Sequence, residues 1–224
     1  ACFEANNQLS YSIKSFKKAI SIFPKYTEAL YNLGVVQNKS GKKIDSIKSY
    51  QQAISIKPDY FDAHNNLGLA LTQTKRFDEA IIHLNHAVRI NPNFAEAFNN
   101  KGNVIKKLGN IDEALRNYKT SIAIKPNYVD AIRNIGVTLK DEGKIEDAMQ
   151  AFQKALSIKP DNATVLRDIA VTLNRLEFLE PNPDLQKIIF SILDLQTLVS
   201  PRDISEAALS LLNFEPKIQN LYQK

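Results

Sequence analysis

The stretch Pro58-Asp59-Tyr60-Phe61-Asp62-Ala63-His64-Asn65-Asn66-Leu67-Gly68 decides the fold, because close variants of it recur at a fixed interval. Pro24, Pro58, Pro92, Pro126 and Pro160 stand 34 residues apart. Ten residues after each of the first four comes a glycine (Gly34, Gly68, Gly102, Gly136), and Ala170 fills the fifth slot. A chain that repeats with this period and keeps small residues at fixed offsets is a stack of helix-turn-helix units, each burying its apolar face only against its neighbours. The sequence therefore predicts an all-α solenoid of antiparallel helix pairs.

Working outward, four complete repeats are expected over residues 27–60, 61–94, 95–128 and 129–162. The first helix of each carries Ala29, Ala63, Ala97 or Ala131 one turn before Leu33, Leu67, Lys101 or Ile135. The glycine next in line has no side chain, so the second helix can approach closely. Gly41, Gly109 and Gly143 fall at the turn between the helices, where a left-handed residue ends a helix cleanly, and Lys75 takes that slot once. The second helices bury Tyr50, Ala53 and Ile54; Leu84, Ala87 and Val88; Tyr118, Ser121 and Ile122; Phe152, Ala155 and Leu156, all at helical spacing. Ser46, Ala80, Ala114 and Ala148 supply the small residue where helices cross.

Residues 1–26 read as a partial unit, the end of a first helix over 1–8 and a second helix over 9–23 with Phe16, Ala19, Ile20 and Phe23 on one face, so the chain is expected to begin inside a repeat. Residues 163–180 read as the first helix of a degenerate fifth repeat. Residues 181–224 read as C-terminal capping or junction helices that open at Asn182, Ser200 and Pro216.

Composition excludes more than it suggests. Hydrophobic residues make up 44% and charged residues 24% of the 224 residues, ordinary for a globular chain. No apolar run approaches the roughly 18 residues of a membrane span. The net charge of +5 comes from basic residues interleaved with acids through every repeat, a solvated face and not a nucleic-acid stripe. Lys57, Lys125 and Lys159 precede repeat prolines at helix ends, where a cation suits the helix dipole. Cys2 is the sole cysteine, which rules out an internal disulfide and fits a reducing, cytoplasmic setting.

All seven glycines serve the repeat, so none is left for a phosphate loop. His83 and His86 stand three apart, but two ligands alone leave a metal site incomplete. His64 takes the slot of Leu30, Phe98, Ile132 and Leu166, which makes it a packing residue. The sequence offers no catalytic residue, no cofactor site and no metal site.

The Leu-Gly pair followed at fixed offsets by Ala, Tyr or Phe, Ala and Pro resembles the tetratricopeptide repeat over about residues 1–176. Lys101 in place of an apolar residue, Gln37 in place of an aromatic one and the absence of tryptophan are departures. The resemblance implies a right-handed superhelix whose first helices line the inner wall. Along that wall run Asn32, Asn66, Asn100 and Asn134, with Asp168 continuing the row, and just beyond them Val35, Leu69, Asn103, Val137 and Val171. An asparagine side chain offers a donor and an acceptor, enough to pair with one peptide unit of an extended ligand. The expected peptide-binding residues are therefore Asn32, Asn66, Asn100, Asn134 and Asp168, with Asn103, Leu69 and Val137 beside them.

The row resembles the asparagine ladder in the repeat domain of O-linked N-acetylglucosamine transferases. The basic clamp of chaperone-binding relatives is not filled here. The expectation is a non-catalytic protein-protein interaction scaffold. Two alternatives stand beside it: the substrate-docking region of a larger glycosyltransferase or methyltransferase, and a self-association module that pairs as a homodimer through its open N-terminal end. Nucleic acid and membrane are not expected partners.

Overall fold

A computed structural model describes residues 2–173, with side chains from residue 8 onward. The rest of the degenerate fifth repeat and the C-terminal helices expected over 181–224 lie outside the described residues.

The described residues form ten helices. After α1 (Cys2–Ile22) come α2 (Thr27–Lys39), α3 (Lys43–Ile56), α4 (Phe61–Gln73), α5 (Phe77–Ile90), α6 (Ala95–Lys107), α7 (Ile111–Ile124), α8 (Val129–Asp141), α9 (Ile145–Ile158) and α10 (Ala163–Leu173). The first helix of each full repeat has 13 residues and the second 14. The fold is an all-α solenoid of antiparallel helix pairs, as read from the period.

One expectation is corrected at the N-terminus. A single helix runs from Cys2 to Ile22 where the repeat predicts a turn near residue 8. Residues 2–22 contain neither glycine nor proline, and the slot that ends the first helix of later repeats is Asn7 here. With no residue that favours leaving the helix, propagation continues at one hydrogen bond per residue.

Each inter-helix turn is built the same way. Gly41, Gly109 and Gly143 take φ of +77°, +86° and +74°, and Lys75 takes +61°. At the α2 end, Lys42 N–H reaches Gln37 C=O at 2.9 Å and Gly41 N–H reaches Asn38 C=O at 3.1 Å, the paired bonds that satisfy the last carbonyls of a helix ending in a left-handed residue. The same pairs close α4 (Arg76 to Leu71, Lys75 to Thr72), α6 (Asn110 to Ile105, Gly109 to Lys106) and α8 (Lys144 to Leu139, Gly143 to Lys140).

The chain divides into two compact units, Ala1–Pro126 and Asn127–Lys224. In the first, α2 packs on α3, α4 on α5 and α6 on α7, and each pair packs on the next. Its centre is Ile47, Tyr50, Leu67, Ala70, Leu71, Ala80, Leu84 and Val104. In the second, α8 packs on α9 and α10 on both, around fully buried Ile132, Phe152, Leu166 and Ile169. The glycine in mid-helix fixes the spacing within a pair. A Cβ on Gly34, Gly102 or Gly136 would stand 2.6 Å from the ring of Tyr50, Tyr118 or Phe152, and one on Gly68 would stand 2.6 Å from Leu84 Cγ.

Candidate functional site

In the first unit α2, α4 and α6 stand side by side, and their polar side chains are joined across the repeats. Asn66 Nδ2 donates to Tyr31 Oη at 3.0 Å. Asn65 Nδ2 donates to Asn66 Oδ1 at 3.3 Å, and Asn100 Nδ2 donates to Asn65 Oδ1 at 2.9 Å. The result is one chain of hydrogen bonds, Tyr31 to Asn66 to Asn65 to Asn100, across three helices. Burial, and then the nearby Asp62 carboxylate, raises the Tyr31 hydroxyl pKa, so it stays a phenol.

Asn65, which lies off the row in the sequence, is buried and is the link between two rungs. Asn66 keeps one N–H and one acceptor lone pair, and Asn100 keeps one N–H and its oxygen. That is still the complement of a peptide unit. Asn32, at the start of the row, is exposed and makes no hydrogen bond among the described residues.

One repeat further along the same surface is a recess of about 430 Å³ lined by Leu69, Thr72, Asn100, Asn103, Lys106 and Lys107. Three of the predicted residues, Leu69, Asn100 and Asn103, thus share one recess. Thr72 Oγ1 donates to Gly68 C=O at 2.7 Å, which leaves its lone pairs available. Tyr118 Oη donates to Asn103 Oδ1 at 2.8 Å and so settles which end of that amide is engaged. Nothing in the sequence pattern announces the lysines, which occupy the last turn of α6.

A larger recess of about 760 Å³ lies over Ile22, Phe23, Pro24, Lys25 and Tyr26. Its described lining is a single turn between α1 and α2, with no convergent polar groups to orient a ligand, so the smaller recess is the better candidate.

In the second unit Asn134 and Val137 are half-buried on α8. Asp168 on α10 is ion-paired with Arg133 Nε on α8, so this member of the row is held by a neighbouring cation.

The three histidines converge, which their sequence positions do not reveal. His64 on α4 is buried, its Nδ1 is 3.1 Å from His83 Nδ1 and its Nε2 is 3.1 Å from Pro58 C=O. The His86 ring stacks on it at 5.1 Å. Burial lowers the pKa of both His64 and His83, the latter to about 4, with neighbouring histidines adding to the effect. Among the described residues no group of three His, Cys, Asp or Glu side chains is arranged to hold a metal ion. No described helix is long and apolar enough to cross a membrane. Lys125 closes α7 as expected and also pairs with Glu96 at 2.8 Å, while Lys57 lies 5.1 Å from the Tyr60 ring centre.

Known repeat families match this architecture directly. The family described as "TPR repeat" matches residues 39–75 and 102–143, and those described as "Tetratricopeptide repeat" match 61–94, 129–162 and 83–116. The chain belongs to the tetratricopeptide repeat family. No curated protein sequence matches it. Among solved structures this tetratricopeptide protein is similar to MamA, with 28% identity, 68% of this chain and 89% of that one covered, and a TM-score of 0.61. It is also similar to YrrB, described as a tetratricopeptide protein with an unusual peptide-binding site, at 26% identity, 72% and 84% coverage and a TM-score of 0.59. A thermophilic tetratricopeptide protein of Thermus thermophilus, at 22% identity, matches over 76% of this chain and 93% of its own with a TM-score of 0.66, a likeness of fold.

Proposed function

We propose that this tetratricopeptide protein is a non-catalytic interaction scaffold that holds an extended peptide segment of a partner against α4 and α6. The observation that carries this reading is the residual hydrogen-bonding capacity of Asn66 and Asn100, one donor and one acceptor each, beside a recess floored by Leu69. Pairing through such amides reads the ligand's backbone and tolerates many side chains. The YrrB likeness supports the choice of a peptide as ligand. Each rung contributes on the order of 0.5–1.5 kcal/mol net, while ordering a flexible peptide costs several kcal/mol, so micromolar affinity is expected.

The test is a peptide-array screen of the wild-type chain against Asn66→Ala/Asn100→Ala, with helicity and melting of both checked by circular dichroism. Loss of most array signal in a folded double variant supports the reading; an unchanged array removes the amides from binding.

A second reading, pairing of two copies through the N-terminal end, is favoured by the exposure of Tyr11, Ile22, Phe23 and Tyr26. Light scattering decides it: a monomer at high micromolar concentration ends that reading.

A further inference from the structure

Resting on the peptide-binding reading, we infer that the recess between α4 and α6 selects partners by an acidic side chain, taking an Asp or Glu carboxylate of the extended segment onto Asn103 and Lys107.

Asn103 departs from the other repeats. The slot just beyond each rung holds Val35, Leu69, Val137 and Val171 elsewhere, and Asn103 alone is polar there. Its oxygen accepts from the Tyr118 hydroxyl at 2.8 Å, so its Nδ2 carries two hydrogens with no partner among the described residues. Tyr118 is itself fixed, fully buried with its ring against Gly102. The Asn103 amide is thereby held with its donor end unspent at a recess that the Lys107 ammonium also lines.

Among the described residues that line this recess there is no carboxylate. On α6 the one acid, Glu96, is already paired with Lys125 and does not neutralise Lys107. Oriented N–H donors with a flanking cation, on an apolar floor of Leu69, complement an anionic oxygen on a short aliphatic stem. A volume of about 430 Å³ admits one such side chain while its backbone lies against Asn66 and Asn100. Nucleic acid is the weaker fit, because binding it well needs a run of phosphate contacts along a basic stripe.

The experiment uses the full chain and an array of twelve-residue peptides in which every Asp or Glu member has an Asn or Gln twin. The strongest pairs are re-measured by fluorescence anisotropy at low and high salt. The acidic member should bind about tenfold or more tightly than its twin, as one charge-assisted hydrogen bond with a screened cation provides, and the gap should narrow with salt. Asn103→Val, which installs the residue of neighbouring repeats, and Lys107→Gln, which alters only a side-chain end at the helix terminus, should each close much of that gap.

Equal binding of the twins, or a gap untouched by either variant, would overturn the inference. If peptides bind in a manner sensitive to Asn66→Ala/Asn100→Ala without acidic preference, the selectivity fails and the scaffold reading stands. If no peptide binds with that sensitivity, both fail. Tight binding of a dT12 oligonucleotide that competes with the acidic peptides and shows the same Asn103→Val loss would overturn it in favour of a phosphate ligand.

Discussion

Asn100 on α6 donates from Nδ2 to Oδ1 of Asn65 on α4 at 2.9 Å, a bond between residues 35 apart. The same offset joins Tyr31 to Asn66 and, in the second unit, Arg133 to Asp168. One repeat plus one residue is thus the distance at which a first helix touches the next through its polar face. Asn65 links the row because it donates to one rung and accepts from the other. Asn65→Ala should lower stability by about 1–2 kcal/mol, since its partners are half-buried and recover part of the loss from water. The shift of the urea midpoint measures it. Peptide binding should weaken at the same time, because both rungs lose their anchor; a stable variant with a full array signal would show that the rungs need no positioning.

The close approach of paired helices rests on missing side chains. A Cβ on Gly102 would lie 2.6 Å from Tyr118 Cε1, and the ring cannot swing away while its hydroxyl is held by Asn103. Gly102→Ala should therefore cost about 1–3 kcal/mol by overpacking. Gly102→Ala/Tyr118→Leu, which removes the ring that the new methyl group would strike, should cost less than the sum of the two single losses, because the sites touch. Strict additivity of the two free energies from chemical melts would contradict the contact.

Much of this is legible in the primary sequence, because a repeat shows its rules several times over. The prolines, the mid-helix glycines and the left-handed turn residues define the helix pairs, and Lys75 stands out as an exception by its slot alone. The site is less legible for a physical reason. Row membership marks which residues share a face, but not what each amide already bonds to; Asn65 reads as surplus and is in fact the connector. The three histidines do not read as a group because their contact lies between α4 and α5, and sequence spacing shows only neighbours on one helix. At the N-terminus the expected break is absent because periodicity alone does not end a helix; a glycine or a tertiary partner does.

Lys75 holds φ of +61° where the other three turns use glycine. A left-handed conformation costs a residue with a Cβ about 1–2 kcal/mol, and glycine returns part of that as extra unfolded-state entropy, about 0.4–1 kcal/mol. Lys75→Gly should stabilise the chain by roughly 0.5–1 kcal/mol, the difference of those terms. A rise of a few degrees in melting temperature is the expected reading; a fall would mean that the lysine stem packs more usefully than its exposure suggests.

Acid should weaken the α4–α5 contact through the histidines. Burial holds the His83 pKa at about 4, so in the fold it is neutral at pH 6, where an unfolded histidine is already largely protonated, and burial lowers the pKa of His64 in the same direction. The depressed pKa means that the His83 contribution is fully present above about pH 6.5 and is lost as pH falls towards 4, because the unfolded chain takes up protons first, and His64 acts in the same direction. The surroundings set the sign: His86 and Arg89 oppose a charge on this cluster, and Glu79 on α5 only partly offsets them near His83. Melting temperature measured from pH 7.5 to 4.5 should drop more steeply for the wild type than for His64→Leu/His83→Asn, which installs the residues found in those slots elsewhere, Leu30 and Asn117. Parallel profiles for the two proteins would assign the acid sensitivity to carboxylates and remove the histidines from it.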